Sequence, residues 1–243
     1  MEHLSHIFYV PHADDETLSM GAAIIECLRA GNEVYLALLT DGAADETLAC
    51  LNGSFQCPWH GCFHNPEEER FRDIPMSPKA FSRARREEFL AAARVMGIPD
   101  EHISVYSFPD GRLTTNNVRE IVHCYEEDKT LPFPKRHHTM TFKYDTHNDH
   151  ISAGRALLEL QNEGVIAEST WYIKRSMWHT LPPDSGIKTI KVISTMGQRI
   201  LAEICKQVYM SYAPTEGKYA IGYHSVPRSV EGVFFDFSSK YHH

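Results

Sequence analysis

Hydrophobic and polar residues alternate along the chain in a pattern that predicts successive strands and helices. Apolar runs at residues 5–10 and 34–39 are typical of short strands that are buried on both faces. Between them, residues 15–30 carry apolar side chains near helical spacing, and Gly31-Asn32 ends the predicted helix. Strand, helix and strand in this order form a βαβ unit, with a parallel strand pair and a right-handed crossover.

The same order of elements continues along the rest of the chain. Predicted helices span residues 79–97, 114–127, 150–162 and 196–209. Predicted strands span residues 103–108, 139–144, 170–173 and 188–193, and the residues from 210 onward have aromatic strand character without clear order. Repeated βα units predict an α/β fold with a doubly wound, mostly parallel, Rossmann-like sheet and helices on both faces. The length of 243 residues fits a single domain over residues 1–243.

Residues 43–78 interrupt this pattern. The segment contains three cysteines, two histidines, Trp59 and several prolines and glycines, and it shows no clean period. Long loops without regular structure in compact domains are usually functional. We therefore interpret residues 43–78 as a Cys/His-rich insertion that forms a lid.

Composition and charge narrow the classes of function. Hydrophobic residues make up 42% and charged residues 23%, which is ordinary for a globular protein with a full core. The formal net charge of −8 disfavours a nucleic-acid partner, because a polyphosphate needs a basic face. No apolar run approaches the roughly 18 residues of a membrane span, and the first residues lack the pattern of a signal peptide. We therefore expect a cytoplasmic protein that binds neither nucleic acid nor membrane, and the sequence leaves homo-oligomer formation open.

The first candidate site follows the first predicted strand and opens the first helix. Sites in open α/β sheets form beyond the carboxyl ends of strands, so the location is favourable. His12 and Asp15 are three residues apart and share a face of the first helical turn, which provides two ligands of a zinc site. Asp14 points in another direction around the helix and is free for a role other than ligation.

The second candidate site has the same position relative to a later strand. His150 can complete a His-Asp-His set and leave the fourth tetrahedral position for water, as a catalytic zinc requires. His147 lies one turn earlier and can stand over the substrate. Asp149 can orient the His147 ring through its other nitrogen.

Each motif taken alone has a simpler interpretation. An aspartate at a helix start is a good N-cap, paired acids suit the positive end of a helix, and a nearby histidine is then a surface residue. The metal interpretation is stronger for the two together. Both motifs follow predicted buried strands, both open helices, and the second supplies the ligand that the first lacks.

These residues resemble the LmbE-like, or PIG-L, family of zinc-dependent N-acetylglucosamine deacetylases. The segment 9–16 contains Pro11-His12-Ala13-Asp14-Asp15-Glu16 and resembles the His-Pro-Asp-Asp-Glu signature of the family, and residues 147–150 resemble its later His-Pro-Asp-His. Further matches are Thr40-Asp41-Gly42, the helix pattern of Arg85, Glu88, Ala92 and Gly97, and the turn Pro109-Asp110-Gly111. The resemblance covers about residues 1–160. Ala13 and Asn148 replace prolines of the family pattern, and the Cys-rich insertion is not part of it.

The resemblance implies a role for each residue of the two motifs. The family equivalents of His12, Asp15 and His150 hold zinc, and the equivalent of Asp14 is the general base. The equivalent of His147 stabilises the tetrahedral intermediate or protonates the leaving amine, with the equivalent of Asp149 behind it. The chemistry agrees, because an amide needs a strong nucleophile, zinc lowers the pKa of its water to roughly 7, and a neighbouring carboxylate can take the proton.

Three further residues are candidate substrate contacts. Arg85 matches a family arginine that binds substrate hydroxyls or phosphate, although its Arg- and Glu-rich surroundings are equally typical of ion pairs on a solvated helix face. Asp110 is either a turn residue or a sugar ligand. Trp59 in the insertion offers a flat face for a sugar ring.

The insertion contains a second set of candidate metal ligands. Cys57, His60, Cys62 and His64 lie within eight residues, and Cys50 is a fifth candidate. The spacing is not that of a common zinc finger, and ligands so close in sequence are hard to arrange around a tetrahedral ion. A structural zinc and a flexible lid with buried thiols are both compatible with the sequence.

Two histidine pairs are given no functional role. His137-His138 follow a stretch rich in proline and basic residues, and we expect them in a solvated loop. His242-His243 resemble the start of an expression tag and are excluded from functional reasoning.

These observations predict a zinc-dependent hydrolase that removes an N-acetyl group from an amino sugar or its conjugate. An alternative within the same chemistry is an amidase acting on a larger N-acyl or thiol-sugar conjugate, which the long insertion favours. A second alternative is a non-catalytic zinc- or sugar-binding protein on the same fold. Asp14 argues against it, because a binding site needs no unligated carboxylate beside the metal.

Overall fold

A computed structural model describes residues 4–44, 46–183 and 185–243 of the chain. Asp45 of the predicted insertion and the first three residues of the N-terminal segment lie outside the described residues. The strands and helices in chain order are β1 Ser5–Val10, α1 Asp15–Leu18, α2 Gly21–Arg29, β2 Glu33–Thr40, α3 Thr47–Leu51, α4 Pro78–Met96, β3 Ile103–Phe108, α5 Thr115–Glu127, β4 Lys135–Met140, α6 Asn148–Asn162, β5 Ser169–Tyr172, β6 Lys188–Lys191, α7 Thr195–Glu203, β7 Tyr212–Ala213, β8 Lys218–Tyr219, α8 Ile221–Ser225, α9 Pro227–Phe235 and β9 Ser238–His242.

The centre of the fold is a seven-stranded sheet with the order β3-β2-β1-β4-β5-β9-β6. The five strands from β3 to β5 are parallel, and β9 is antiparallel to both of its neighbours. The chain runs outward from β1 to β2 and β3 and then returns to the other side of β1 at β4. α/β sheets bind ligands at such a switch point, where the order of the strands reverses. The prediction of a doubly wound, mostly parallel sheet is confirmed.

Alternate side chains of β1 enter two different cores, as the two-residue period of a strand requires. Phe8 and Val10 pack with residues of α2, α4 and α7 on one face. Ile7 and Tyr9 pack with residues of α5 and α6 on the other. Helices therefore cover both faces of the sheet, as predicted.

The predicted insertion packs against the main body of the fold through a third, smaller core. Leu51, Phe71 and Met76 of the insertion contact Phe81 of α4 and Ile221 of α8. Its only helix among the described residues is the short α3. The insertion is therefore held against the C-terminal part of the chain.

The fourth strand differs from its sequence-based prediction. Instead of residues 139–144 it spans Lys135–Met140, so His137-His138 are buried in the sheet and the expectation of a solvated loop is wrong. Polar partners make this burial tolerable, because Nε2 of His138 lies 2.9 Å from Nδ1 of His6 and Nε2 of His137 lies 2.8 Å from Oε1 of Glu126. The hydropathy pattern of a sequence does not show which polar partners a buried residue will have.

The C-terminal residues form part of the sheet. His242 lies in β9 and is buried, its ring is stacked 5.5 Å from that of Trp171, and its Nε2 lies 2.7 Å from Oγ1 of Thr141. His242 is therefore part of the packed sheet. The aromatic segment from residue 210 forms the helices α8 and α9 as well as short strands.

Two predicted helices have different limits in the structure. The helix predicted over 15–30 is divided into α1 and α2 at Ser19-Met20. The helix predicted over 196–209 ends as α7 at Glu203 and continues as a π-helical segment, Ile204–Tyr209. Among the described residues, no helix combines the length and the apolar character that crossing a membrane would require.

Candidate active site

A cavity of about 350 Å³ lies where the loops after β1 and β4 meet. Most of the predicted site residues line it, namely His12, Asp14, Asp15, Arg85, Asp110, His147 and His150. A larger cavity of about 510 Å³ lies against α4 and β8, but no residue of either motif lines it. The switch point of the sheet thus brings together residues that are about 135 positions apart in the sequence.

Three donor atoms of the two motifs converge in this cavity. Nδ1 of His12 lies 3.1 Å from Nε2 of His150 and 3.4 Å from Oδ2 of Asp15, and Nε2 of His150 lies 3.1 Å from the same oxygen. Ligand atoms about 2.0–2.1 Å from a tetrahedral ion are separated from each other by about 3.3 Å. The spacing of the three atoms therefore fits one divalent metal ion.

Carboxylates hold the other ring nitrogens of these histidines. Nε2 of His12 lies 3.0 Å from Oδ2 of Asp149 and 3.2 Å from Oδ1 of Asp110. Nδ1 of His150 lies 2.7 Å from Oδ2 of Asp145. A neutral ring that donates its N–H to a carboxylate keeps a lone pair on the opposite nitrogen, which is the arrangement typical of metal-ligating histidines.

The electrostatic surroundings also favour a cation. Burial opposes a charge on His12, but its hydrogen bonds to Asp110 and Asp149 outweigh that effect and raise its pKa well above the usual range. Burial likewise opposes a charge on His150, and Asp15 together with Asp145 raises its pKa. Several carboxylates thus face this part of the cavity, and a divalent ion would balance their charge.

Asp14 has an unusual backbone conformation and an arginine partner. Its φ of 124° lies in a region that favours glycine. Its Oδ2 lies 3.3 Å from Nη2 of Arg85, and both side chains are buried. Burial raises the pKa of Asp14 to about 6, against the opposing effect of Arg85. Asp14 is thus a carboxylate with raised basicity beside the three donor atoms.

Buried side chains support the conformation of Asp14. Its backbone N–H donates to Oε2 of Glu16 at 2.9 Å, and the hydroxyl of Tyr209 donates to Oε1 of the same carboxylate. Burial raises the pKa of Glu16 to about 7. Sites with strained backbone persist only where the surrounding structure holds them, and Glu16 does this here.

His147 lies edge-on to His12, with ring centroids 4.5 Å apart. Its Nδ1 accepts the backbone N–H of Asp149 at 3.3 Å, so the neutral ring carries its proton on Nε2. Burial and the neighbouring His12 lower the pKa of His147. A neutral N–H donor therefore faces the cavity.

The structure also allows other donor sets. His12, His147 and His150 offer ligand atoms within 4.8 Å of one another, and so do His12, Asp110, His147 and Asp149. The compact triangle of His12, Asp15 and His150, with sides of 3.1–3.4 Å, has the spacing of tetrahedral ligands around one ion.

The structure corrects the expected partner of Asp149. Its carboxylate was predicted to orient His147, but it accepts hydrogen bonds from His12 and from the backbone N–H groups of Gly111 and Leu113. Asp149 is two positions after His147 at the start of α6, so its side chain points away from that ring toward the turn after β3. The side-chain partner of the Asp149 carboxylate is therefore His12, a candidate metal ligand.

The three predicted substrate contacts have different positions. Arg85 and Asp110 line the cavity, and the burial of Arg85 contradicts the alternative of an exposed ion pair. Trp59 is not among the residues that line it. Its ring packs edge-on against Tyr223, with centroids 4.4 Å apart, and stacks on His60.

Sequence reasoning missed several residues of the site. The carboxylate of Asp145 holds the ring of His150. It could have been found from the sequence, because it lies directly between the predicted strand 139–144 and the motif at residues 147–150. Lys174 and the segment around Ser225 and Val226 also line the cavity, although they lie in a part of the chain without a recognisable motif. Only the tertiary structure brings them to the site.

A comparison with protein-family models connects this geometry to known proteins. The model described as PIG-L, GlcNAc-PI de-N-acetylase, matches residues 7–161, which include both motifs and Arg85. The chain belongs to the PIG-L family. The resemblance indicated by the sequence motifs is thereby confirmed, and the chain is an enzyme of this family.

Solved structures share the PIG-L fold with this chain at low sequence identity. N,N'-diacetylchitobiose deacetylase from Pyrococcus horikoshii is 15% identical with a TM-score of 0.58, over 98% of this chain and 82% of that one. The zinc-inhibited form of teicoplanin deacetylase Orf2 is 14% identical with a TM-score of 0.55, over 98% of each chain. GalB, the 4-carboxy-2-hydroxymuconate hydratase from Pseudomonas putida KT2440, is 16% identical with a TM-score of 0.52, over 99% of this chain and 94% of that one.

These likenesses show the fold alone, and the presence of a hydratase shows that the fold does not determine the reaction. A comparison with curated proteins gives no match. The reaction of this PIG-L member therefore has to be argued from its site.

Proposed function

We propose that this protein is a zinc-dependent deacetylase that removes the N-acetyl group from an amino sugar or an amino-sugar conjugate. The observation that carries the proposal is the position of Asp14. This buried carboxylate contacts Arg85 and lines the same cavity as His12, Asp15 and His150, and its pKa is raised to about 6. A metal-binding protein without catalysis has no use for such a group.

The donor chemistry supports zinc as the metal. His12, Asp15 and His150 offer two imidazole nitrogens and one carboxylate oxygen, a set typical of catalytic zinc sites. Zinc held by these residues would supply a Lewis acid that makes water a strong nucleophile near neutral pH. The carboxylates behind His12 and His150 would fix the orientation of both rings.

Asp14 would act as the general base. At neutral pH a carboxylate with a pKa of about 6 is mostly ionised, yet it is more basic than an ordinary aspartate. It can take a proton from the attacking water and deliver it to the departing nitrogen. Arg85 would keep the carboxylate oriented and ionised through the contact of 3.3 Å.

His147 would act as a hydrogen-bond donor to the carbonyl oxygen of the amide. That oxygen gains negative charge when water attacks the carbon. The proton on Nε2 is assigned by the backbone N–H that donates to Nδ1. A neutral N–H in a partly buried site can donate directly to this oxygen and stabilise its charge. Removal of one such donor typically costs about 3–4 kcal/mol.

The lining of the cavity supports a polar substrate with a short acyl group. Apart from Leu18 and Val226, the lining side chains are charged, polar or small. The volume of about 350 Å³ is at the lower end of the usual range for ligand pockets. Asp110, Arg85 and Lys174 are the side chains that we propose as contacts for sugar hydroxyls.

The names of the relatives agree with this substrate class. The family description and the name of the Pyrococcus horikoshii enzyme both refer to N-acetylated sugars. None of the six cysteines forms a disulfide, which supports the proposal of a cytoplasmic enzyme. An amidase for larger acyl groups is the alternative, and it would need an apolar groove for the acyl chain.

The proposal is tested with a panel of amino sugars that carry acetyl, butyryl or longer acyl groups. We expect release of free amine from the acetylated members, and loss of this activity after chelation. Release from the long-chain members alone would favour the amidase. If no member of the panel is hydrolysed by zinc-loaded protein, the proposal is wrong.

A further inference from the structure

A second group of metal-ligand side chains lies outside the catalytic cavity. Cys57, His60 and His64 come from the insertion, and His224 comes from α8. None of the four lines the cavity described above. The local set considered from the sequence included Cys62, but Cys62 is exposed and His224 takes its place in the structure.

The distances within this group fit tetrahedral ligation. Sγ of Cys57 lies 3.7 Å from Nδ1 of His60, and Nε2 of His64 lies 3.2 Å from Nε2 of His224. One ligand atom from each of the four residues lies within 4.8 Å of all the others. Around a tetrahedral zinc, neighbouring sulfur and nitrogen ligands are about 3.6 Å apart and neighbouring nitrogens about 3.3 Å apart.

Hydrogen bonds assign the protons of two of the rings. Nδ1 of His224 lies 2.8 Å from the carbonyl oxygen of Ala220, which can only accept, so this nitrogen carries the proton. Nδ1 of His64 lies 3.0 Å from Oε2 of Glu69. The hydroxyl of Tyr212 donates to the same oxygen. A carboxylate oxygen accepts hydrogen bonds, so Nδ1 of His64 carries the proton.

Two lone pairs consequently face each other. With both Nδ1 atoms protonated, the Nε2 atoms of His64 and His224 are both acceptors, and they lie only 3.2 Å apart. Two acceptors at this distance do not form a hydrogen bond. A cation between them satisfies both, and the acceptors behind the rings are the partners that metal-ligating histidines usually have.

The thiol of Cys57 completes the donor set. The cysteine is fully buried, and its sulfur accepts the backbone N–H of His60 at 3.4 Å. Four protein ligands, one sulfur and three nitrogens, leave no open position for water. A closed site of this kind is typical of structural zinc and not of catalytic zinc.

We propose that Cys57, His60, His64 and His224 bind a structural zinc ion. This ion joins the insertion to α8 across about 160 residues of sequence. The next two residues after His224 are Ser225 and Val226, which line the catalytic cavity. The second zinc therefore fixes one wall of the active site and takes no part in the reaction.

Protein produced in cobalt-supplemented medium provides a direct test. A thiolate bound to cobalt(II) gives an intense charge-transfer band in the near ultraviolet. His12, Asp15 and His150 contain no sulfur, so the band reports only on the second site. We expect the band in the wild-type chain and in His150→Ala, and its absence in Cys57→Ser. A cobalt-loaded wild-type chain without the band would overturn the proposal, even if the variants fail to fold.

Zinc content gives a second, independent measurement. We expect His224→Ala and Cys57→Ser each to contain one zinc fewer per chain than the wild type. Cys62→Ser is the matched control, because this exposed cysteine lies in the same loop and should leave the zinc content unchanged. Equal zinc content in Cys57→Ser, Cys62→Ser and the wild type would contradict the assignment.

Discussion

Nη2 of Arg85 lies 3.3 Å from Oδ2 of Asp14, and the contact joins the middle of α4 to the loop after β1. Both side chains are buried, so the ion pair is weakly screened by solvent. Burial raises the pKa of Asp14, and Arg85 opposes this rise. The pair thus keeps the carboxylate charged at neutral pH while leaving it basic enough to accept a proton.

Replacement of this carboxylate tests its role in catalysis. Asp14→Asn keeps the size of the side chain and removes the proton acceptor, so we expect kcat to fall by about 10²–10⁴-fold. The bound metal should remain, because Asp14 is not one of the three converging donors. Turnover and metal content measured on the same preparation check both parts. Near-native turnover would exclude Asp14 as the base.

Two donor sets share His12 and His150: one is completed by Asp15 and the other by His147. The metal content of variants distinguishes them. We expect His12→Ala and His150→Ala to lose the catalytic metal, since each removes a vertex of the compact triangle. His147→Ala should retain the metal and lose activity. Elemental analysis of the three variants decides the question. Loss of metal from His147→Ala as well would favour the set of three histidines.

Asp145 is expected to control metal affinity although it is not itself a ligand. Its Oδ2 lies 2.7 Å from Nδ1 of His150 and fixes the ring. Asp145→Asn should weaken metal binding by about 10–100-fold, as measured by competition with a chelator. Asp100→Asn, at an exposed carboxylate that pairs with Arg94, is the control and should leave the affinity unchanged. Unchanged affinity in Asp145→Asn would show that His150 needs no such support.

Glu88 is expected to make the stability of the protein depend on pH. Burial raises its pKa to about 8, although its oxygens accept the N–H groups of Ile221 and Gly222 at 2.7 and 2.9 Å. A carboxyl with a raised pKa in the folded state stabilises the fold when protonated. This contribution is complete below about pH 4.5 and is lost as pH rises through about 8.

The variant Glu88→Gln therefore should flatten the curve of unfolding free energy against pH. The slope that disappears is at most about 1.4 kcal/mol per pH unit between the two pKa values. Urea unfolding from about pH 5 to about pH 8 measures it. Glu87→Gln, which changes the exposed neighbouring carboxylate, should keep the wild-type slope. A parallel curve for Glu88→Gln would mean that Glu88 ionises in the folded protein near its ordinary pKa.

The parts of the fold that were predictable are those whose signal is local. The apolar runs of β1 and β2 are buried on both faces, so their hydropathy alone predicts strands. The rule that strand ends carry the site then brings His12 and His150 together without any knowledge of the tertiary structure. Both motifs also open helices in the structure, as predicted.

The parts that were not predictable depend on partners distant in sequence. The polar strand β4 is tolerable only because His6 and Glu126 pair with its histidines. The carboxylate of Asp149 contacts His12, which is 137 residues away, and not the ring of its near neighbour His147. His224 joins the cysteine and histidines of the insertion by the same kind of contact. A motif gives the type of a side chain, but the fold decides which group it meets.

The left-handed backbone at Asp14 has a consequence for the evolution of this protein. A non-glycine residue in such a conformation typically costs about 1–3 kcal/mol, which glycine avoids. Asp14→Gly would also remove the carboxylate that pairs with buried Arg85, and loss of one member of a buried ion pair typically costs about 3–5 kcal/mol. Laboratory evolution toward a more thermostable form should therefore keep Asp14, because selection for stability and selection for turnover act on this position in the same direction.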